Sequence, residues 1–105
     1  MKISIIIPCY NEKNTIGEIL KKVKNVNVLN CEKEIIVVDD NSNDGSSEIL
    51  DKLTKNFALT TLINNSKNQG KNFAIREGIT NSNGNIIIIQ DAALASNQQD
   101  SNNLL

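Results

Sequence analysis

Apolar residues occur along this chain in short runs, separated by amphipathic and polar stretches. Runs rich in Ile and Val, bounded by turn residues, are typical of strands buried on both faces of a parallel sheet. On this basis the sequence predicts four strands, near residues 3–7, 34–39, 58–63 and 86–90, of which the third is the weakest. Proline has no N–H to donate to a neighbouring strand, so Pro8 is predicted to end the first strand.

Between these runs, apolar residues recur at helical spacing, which predicts helices near residues 14–24, 46–56 and 71–81. Thr15 and Glu18 match the T-x-x-E capping box at the start of the first helix. Ser46 or Asp44 is predicted to cap the second helix. In the third helix, the residues predicted to face inward are Ala74, Ile75, Gly78 and Ile79.

The alternation of strands and helices predicts an α/β fold with parallel strands joined by right-handed crossovers. We expect a doubly wound, Rossmann-like sheet with strand order 3-2-1-4. In such a sheet the winding direction reverses between strands 1 and 4, and a crevice opens outside their carboxyl ends. The loops at residues 8–12 and 39–45, and the chain from Asp91 onward, are predicted to converge on this crevice.

Length and charge narrow the possible classes of protein. The 105 residues predict one domain, and a net charge of −1 shows no basic surplus of the kind that binds nucleic acid. No apolar run approaches the ~18 residues of a membrane span, and no signal peptide is visible after Met1, so a cytoplasmic location is expected. Cys9 and Cys31 do not have metal-ligand spacing and are predicted to be reduced thiols.

Two adjacent carboxylates, Asp39 and Asp40, end the second predicted strand. The residues that follow, Asn41 to Gly45, are turn formers. A single carboxylate at a strand end needs no explanation beyond solvation. Two side by side repel each other, which favours a binding partner for them at the edge of the sheet where ligands bind in open α/β folds.

Four segments carry a family resemblance. They read IIIPCYNE (5–12), IVVDDNSNDGS (36–46), NQGK (68–71) and IIQDA (88–92). In this order, and at the ends of predicted strands, they resemble the family 2 glycosyltransferases of the GT-A fold. The closest likeness is to the branch that makes polyprenyl-phosphate sugars such as dolichyl-phosphate mannose. The resemblance covers the whole chain.

The resemblance implies that the chain binds a nucleotide-diphosphate sugar at the crevice. In the implied site, Pro8, Tyr10 and Glu12 line the nucleoside pocket, Asp40 hydrogen-bonds the base with Asp39 beside it, and Lys71 approaches the phosphates; the nucleotide-binding set is Pro8, Tyr10, Glu12, Asp39, Asp40, Lys71 and Asp91. The residues alone also allow simpler interpretations. Tyr10 can cover the first helix, Glu12 can be a charge favoured at a helix start, and Lys71 can be a solvated lysine.

The fourth segment departs from the family pattern. The family carries Asp-x-Asp there, and the two carboxylates hold Mg²⁺ or Mn²⁺ against the diphosphate. Here the stretch is Asp91-Ala92-Ala93, and Ala93 has no ligand atom. Asp91 is therefore the one candidate metal ligand, and the Mg²⁺ or Mn²⁺ expected for the family is predicted to be weakly bound or absent.

The expected organisation is a single glycosyltransferase 2-like domain over residues 1–105 that holds the nucleotide-binding half and lacks the acceptor half. No residue is assigned as catalytic. The predicted function is binding of a nucleotide-diphosphate sugar for transfer to an acceptor, with a lipid phosphate as the candidate acceptor. The alternative is an inactive nucleotide-binding or interaction domain of the same fold. A receiver-like signalling module is less favoured, because its acidic pair follows the first strand.

Overall fold

Four parallel strands form one sheet in a computed structural model of the chain, which describes residues 1–26, 31–55, 57 and 59–92. The strands are β1 (Lys2–Cys9), β2 (Glu32–Asp39), β3 (Thr60–Asn64) and β4 (Ile86–Ile89). The helices between them are α1 (Ile16–Asn25), α2 (Ser46–Thr54) and α3 (Lys71–Thr80). The strand order is β3-β2-β1-β4, which confirms the predicted α/β fold and its topology.

The sheet lies between two layers of helices. Alternate residues of a strand point to opposite faces, so Ile5 and Ile7 of β1 pack with residues of α1 and α2, while Ile6 packs with Ala74 of α3. All three isoleucines are fully buried. This double burial explains the unbroken apolar runs at Ile5–Ile7 of β1 and Ile35–Val38 of β2.

Pro8 lies inside β1 and not after it, contrary to the prediction, and its Cα is paired with β2. Asp40 N donates to Cys9 O at 2.9 Å, and Gln90 N donates to Ile6 O at 2.8 Å. The backbone N–H and C=O groups of odd-numbered residues in β1 therefore point towards β2, and those of even-numbered residues point towards β4. The pairing of β1 with β4 ends at Ile6, so the N–H that Pro8 lacks is not needed by either neighbour.

Both outer strands differ from their predicted form. Leu59 has a φ of 57°, in the left-handed region, and β3 begins only after it; Ala58 lies outside the described residues. β4 is apolar as predicted, but it lies at an edge of the sheet. Ile86, Ile87 and Ile89 consequently remain about 40% exposed.

The predicted capping box at the start of α1 is absent. Thr15 precedes the helix, but its hydroxyl donates to the backbone oxygen of Glu12 at 3.3 Å and to Glu12 Oε2 at 3.1 Å, and it makes no capping bond. At the start of α2 the N-cap is Gly45 and not Ser46 or Asp44 as predicted, because the helix begins at Ser46 itself. Asp44 Oδ1 nevertheless accepts from Ser46 N at 2.9 Å and so satisfies one of the first free N–H groups.

Helix α3 approaches the sheet through its smallest residues. Ala74 and Gly78 are buried, whereas Ile79, predicted to face inward, is 42% exposed because it lies one residue beyond this line of contact. A Cβ atom added to Gly78 would lie 2.3 Å from Ile6 Cγ2. The helix therefore packs against β1 at a distance that only glycine allows at this position.

A buried polar network holds the opposite end of the sheet, at the amino ends of the strands. Ser4 interrupts the apolar run of β1, and its hydroxyl donates to Glu34 of β2. Asn83 N donates to the same carboxylate at 2.6 Å, and Gly84 N donates to Ser4 Oγ at 2.8 Å. These bonds fix the turn from α3 into β4, and hence the place where β4 delivers Asp91.

Candidate functional site

A cavity of about 360 Å³ opens at the carboxyl ends of β1 and β2. It lies where the reversal of winding between β1 and β4 predicts a crevice. Its lining combines the end of β1, the loop before α3, the first turn of α3 and the residue that follows β4: Pro8, Cys9, Tyr10, Glu12, Asp40, Asn68, Gly70, Lys71, Ala74 and Asp91. Six residues of the predicted nucleotide-binding set are among them, and Asp39 is not.

The two adjacent carboxylates of β2 have separate partners. Asp39 is 1% exposed and accepts hydrogen bonds from the hydroxyls of Ser42 and Ser47. It therefore holds the loop between β2 and α2 (residues 40–45) and the first turn of α2. Asp40 points the other way, towards α3. The charges of the pair are therefore each stabilised by hydrogen-bond donors of the protein, and the two sets of donors are different. Their repulsion does not require a common ligand.

Asp40 holds the loop between β3 and α3 (residues 65–70). It is 3% exposed, and it accepts from Asn65 Nδ2 at 3.0 Å, Gln69 N at 3.0 Å and Gly70 N at 2.8 Å. Burial by itself would raise the pKa of Asp40, but these hydrogen bonds outweigh burial and hold the pKa below its ordinary value. Asp40 is therefore ionised at neutral pH, and it fixes the backbone that leads into Lys71.

Gly70 makes the turn into α3 possible. Its φ is 96°, a conformation that side chains disfavour, and its N–H donates to Asp40 Oδ2 at 2.8 Å. The next residue, Lys71, begins the helix. The cavity thus meets the amino end of α3, where the helix dipole and free N–H groups favour an anion.

The loop between β1 and α1 (residues 10–15) is tied to the loop between β2 and α2. Asn11 N donates to Ser42 Oγ at 2.9 Å, and Glu12 N donates to Ser46 Oγ at 3.0 Å. Asn11 has a φ of 53°, which asparagine tolerates better than most residues. These bonds place Tyr10 and Glu12 on the rim of the cavity, with Tyr10 44% exposed.

Cys9 lines the cavity but is poorly ionisable. It is 2% exposed, and burial, with the nearby charge of Asp39 as the second cause, raises the pKa of its thiol from 9.0 to about 12. Both cysteines are free, as predicted. Because the thiolate is the reactive form, the Cys9 thiol is inert near neutral pH.

This raised pKa predicts a loss of stability in alkali. The folded state keeps the Cys9 proton up to about pH 12, while the unfolded state releases it near pH 9. Stability is therefore unaffected below about pH 9 and falls as the pH rises towards the folded pKa. We expect the stability of the parent to decline more steeply than that of Cys9→Ala in urea unfolding between about pH 8 and pH 11. Cys31→Ala, which retains Cys9, should decline like the parent; a Cys9→Ala variant with the same decline would contradict this expectation.

Lys71 and Asp91 form an ion pair across the cavity. The Lys71 ammonium contacts Asp91 Oδ2, and the side chains are 58% and 24% exposed, respectively. Lys71 is thus neither a purely solvated lysine nor buried. Asp91, predicted as a metal ligand, has a cation of the protein itself beside it.

Within the described part of the chain, metal-ligating side chains do not gather into a cluster. Residues 1–26, 31–55, 57 and 59–92 contain no group of three or more His, Cys, Asp or Glu side chains that could hold a metal ion. Asp91 contributes one carboxylate, which is engaged by Lys71. Ala93, the position of the missing second carboxylate, lies outside the described residues.

Four lining residues are absent from the predicted set, namely Cys9, Asn68, Gly70 and Ala74. Asn68 and Gly70 belong to the NQGK segment, so the sequence held a signal for them. Ala74 lies one helical turn after Gly70. Its small side chain on the buried stripe of α3 leaves space that a larger residue would fill.

The family assignment follows from a match along almost the whole chain. The model of the family described as "Glycosyl transferase family 2" matches residues 4–104. The chain belongs to this family. The four segments that carry the resemblance lie within the matched region.

Relatives of this family 2 chain include transferases whose names contain a lipid phosphate. Undecaprenyl-phosphate 4-deoxy-4-formamido-L-arabinose transferase of Proteus mirabilis is 33% identical over 97 residues, which cover 89% of this chain and 29% of the relative. Dolichol-phosphate mannosyltransferase of Pyrococcus furiosus is 32% identical over 94 residues, covering 90% and 26%, respectively. The chain thus spans less than a third of the length of these relatives.

Solved structures of glycosyltransferases share the fold. The mannosyltransferase PcManGT of Pyrobaculum calidifontis, in complex with GDP-Man and Mn²⁺, superposes with a TM-score of 0.76 at 27% identity, covering 86% of this chain and 27% of that one. S. aureus TarS in complex with UDP-GlcNAc gives a TM-score of 0.74 at 27% identity, covering 88% and 26%. The fold is therefore that of the GT-A glycosyltransferases. Across the described ranges, no helix has the length and apolar character needed to cross a membrane.

Proposed function

We propose that this family 2 chain binds a nucleoside-diphosphate sugar in the cavity at the carboxyl ends of β1 and β2, as the donor site of a glycosyl transfer. The observation that carries the proposal is the meeting of the rim residues Tyr10 and Glu12, the amino end of α3 and Lys71 around one cavity. A donor of this class needs a surface for the nucleoside and positive charge for the diphosphate. In this proposal the rim at Tyr10 and Glu12 provides the surface for the nucleoside, and Lys71 with the start of α3 provides the positive charge for the diphosphate.

Six of the seven predicted nucleotide-binding residues, all except Asp91, have a place in this proposal. Pro8, Tyr10 and Glu12 line the nucleoside side, and Glu12 presents a carboxylate that can accept from a ribose hydroxyl. Lys71 and the free N–H groups at the start of α3 receive the diphosphate. Asp40 faces the cavity and accepts from the base, while Asp39 acts indirectly by holding the loop through Ser42 and Ser47.

The known proteins support the donor class and a candidate acceptor. The solved relatives include one bound to GDP-Man and one bound to UDP-GlcNAc. Two of the relatives are named for undecaprenyl phosphate and dolichol phosphate. We infer a polyprenyl phosphate as the acceptor of the whole protein. An inactive nucleotide-binding domain of the same fold is the second candidate, favoured by the ion pair that engages Asp91.

Calorimetric titration with UDP, GDP and the matching nucleosides tests the proposal. We expect one diphosphate to bind, and to bind more tightly than its nucleoside, because Lys71 and the start of α3 add to the nucleoside contacts. Lys71→Met should reduce this difference by about 1.5–3 kcal/mol, the range for a hydrogen bond to a charged group. Lys21→Met removes the same charge from an exposed position of α1 outside the cavity and serves as the control. Equal binding of diphosphate and nucleoside by the parent would contradict the donor site.

The dependence on metal gives a separate prediction. We propose that Mn²⁺ or Mg²⁺ contributes little to nucleotide binding, because Asp91 is the one carboxylate of its segment and is paired with Lys71. Ala93→Asp restores the second carboxylate and should increase the gain in UDP or GDP affinity on adding Mn²⁺. Ala93→Asn, which adds the same bulk without charge, is the control. A large Mn²⁺ gain in the parent that Ala93→Asp leaves unchanged would show that residue 93 is not at a ligand position.

A further inference from the structure

We propose that Asp91 is an internal competitor for Lys71: its carboxylate holds the ammonium when the cavity is empty, and a diphosphate must take Lys71 from it. This inference rests on the proposed donor site, since it concerns how the phosphates gain their cation. It assigns to Asp91 a role in setting affinity that does not depend on metal.

The positions of the two groups make an exchange feasible. Lys71 begins α3, and Asp91 follows β4, so the two backbones are anchored in separate elements. Gly70 N is held by Asp40, and Gln90 N is held by Ile6 O at 2.8 Å. Only the flexible stem of the lysine needs to move for its ammonium to leave the carboxylate.

Exposure keeps the ion pair weak enough to be exchanged. With side chains 58% and 24% exposed, the pair is screened by water, and such exposed pairs are only weakly stabilising. A diphosphate carries more negative charge than one carboxylate and offers several oxygens to the same ammonium. The ligand therefore outcompetes Asp91, but with an affinity lowered by the pair that it replaces.

The charges around the cavity make this competition important. Among the lining residues, Glu12, Asp40 and Asp91 are acidic, and Lys71 is the one basic residue. The Asp40 carboxylate is stabilised by hydrogen bonds from three uncharged donors. Lys71 is thus the cation for which Asp91 and an incoming phosphate compete.

The test is a double-mutant cycle with inorganic pyrophosphate as the probe, measured by calorimetry in EDTA. Asp91→Asn keeps the shape of the side chain and removes its charge, and we expect it to bind pyrophosphate about two- to five-fold more tightly than the parent, the worth of an exposed ion pair. Lys71→Met should weaken binding at least about ten-fold. In the Lys71→Met background, Asp91→Asn should bring almost no gain, because the ammonium that it would release is gone.

Two results would overturn the inference. One is a pyrophosphate affinity of Asp91→Asn that equals or falls below that of the parent. The other is a gain that persists undiminished in the Lys71→Met background, since this would reflect only the removal of a negative charge. Asp91→Ala is a second variant with the same expectations, and thermal melts confirm that all four proteins of the cycle are folded.

UDP and GDP, titrated into the same proteins, separate this inference from the proposed function. If neither binds more tightly than pyrophosphate, the proposed nucleoside pocket is wrong, while the pyrophosphate cycle still decides the role of Asp91. If UDP or GDP binds well and the cycle shows no coupling, the donor site stands and the competition is refuted.

Discussion

Replacing Gly78 with alanine is expected to lower the free energy of unfolding by about 1–3 kcal/mol, the usual effect of overpacking a core. The new Cβ would lie 2.3 Å from Ile6 Cγ2 and 3.2 Å from Ile6 Cδ1, in the buried contact between α3 and β1. Alanine is a better helix former than glycine by up to about 1 kcal/mol, so the net loss is what remains after this gain. Urea unfolding measures it directly.

The chain provides a matched control in Gly17, which lies in α1. A Cβ at Gly17 would meet only Leu53 Cδ1, at an ordinary distance of 3.8 Å. Gly17→Ala should therefore be neutral or stabilise by about 0.5–1 kcal/mol. Combining Gly78→Ala with Ile6→Ala should recover stability relative to Ile6→Ala alone, because the added methyl group fills part of the space that the isoleucine leaves. Gly78→Ala and Gly17→Ala of equal stability would show that α3 does not pack so closely on β1.

The second large effect is expected for Asp40→Ala, which should lower the free energy of unfolding by about 3 kcal/mol, the upper end of the range for hydrogen bonds to a charged group. Asn65, Gln69 and Gly70 would each lose an acceptor. The loop before α3 would loosen, and we expect UDP or GDP binding to weaken by about 1–3 kcal/mol as Lys71 loses its fixed position. Asp51→Ala, which removes an exposed carboxylate from α2, is the matched control.

The choice of ligand shows how Asp40 acts. If it only positions the loop, Asp40→Ala weakens pyrophosphate binding and leaves nucleoside binding unchanged. If it also contacts the base, nucleoside binding falls as well.

Acid titration gives a further readout, because the folded pKa of Asp40 lies below its ordinary value of 3.8. Its contribution is present above that pH and is lost as the pH falls through the folded pKa. Asp40→Ala with parental stability and parental binding would contradict the anchoring role.

The sequence was sufficient for the sheet because the central strands are buried on both faces. Ile5, Ile6 and Ile7, and the matching run in β2, leave no polar face that could be solvated, so a covered parallel sheet is the structure that satisfies them. The position of Pro8 was not predictable in this way. Whether its missing N–H matters depends on which neighbour it faces and on where β4 ends, and both are properties of the assembled sheet.

The acidic pair shows how much of the site the sequence holds. The expectation of one binding partner for Asp39 and Asp40 rests on their mutual repulsion, but adjacent residues in an extended strand point to opposite faces, which explains why the two carboxylates have separate partners in the structure. The identities of their partners, Ser47 of α2 and the loop at Gly70, depend on which helix covers which face. The Lys71–Asp91 contact joins residues 20 positions apart, one at the start of α3 and the other just after β4, and no local pattern predicts it.

The hydrogen bonds between the β1–α1 loop and the β2–α2 loop lower the entropy cost of binding a ligand at the rim of the cavity. Asn11 N and Glu12 N are already held by Ser42 and Ser46, and Asn43 N is held by Asn11 Oδ1 at 2.8 Å. Ordering a backbone residue costs about 1–2 kcal/mol of conformational entropy. The rim loops are already ordered in the folded chain, so this entropy cost is met during folding. Little of it therefore weakens ligand binding. The rim is preorganised, and selectivity among ligands there rests on shape and hydrogen bonding more than on an induced closure of these two loops.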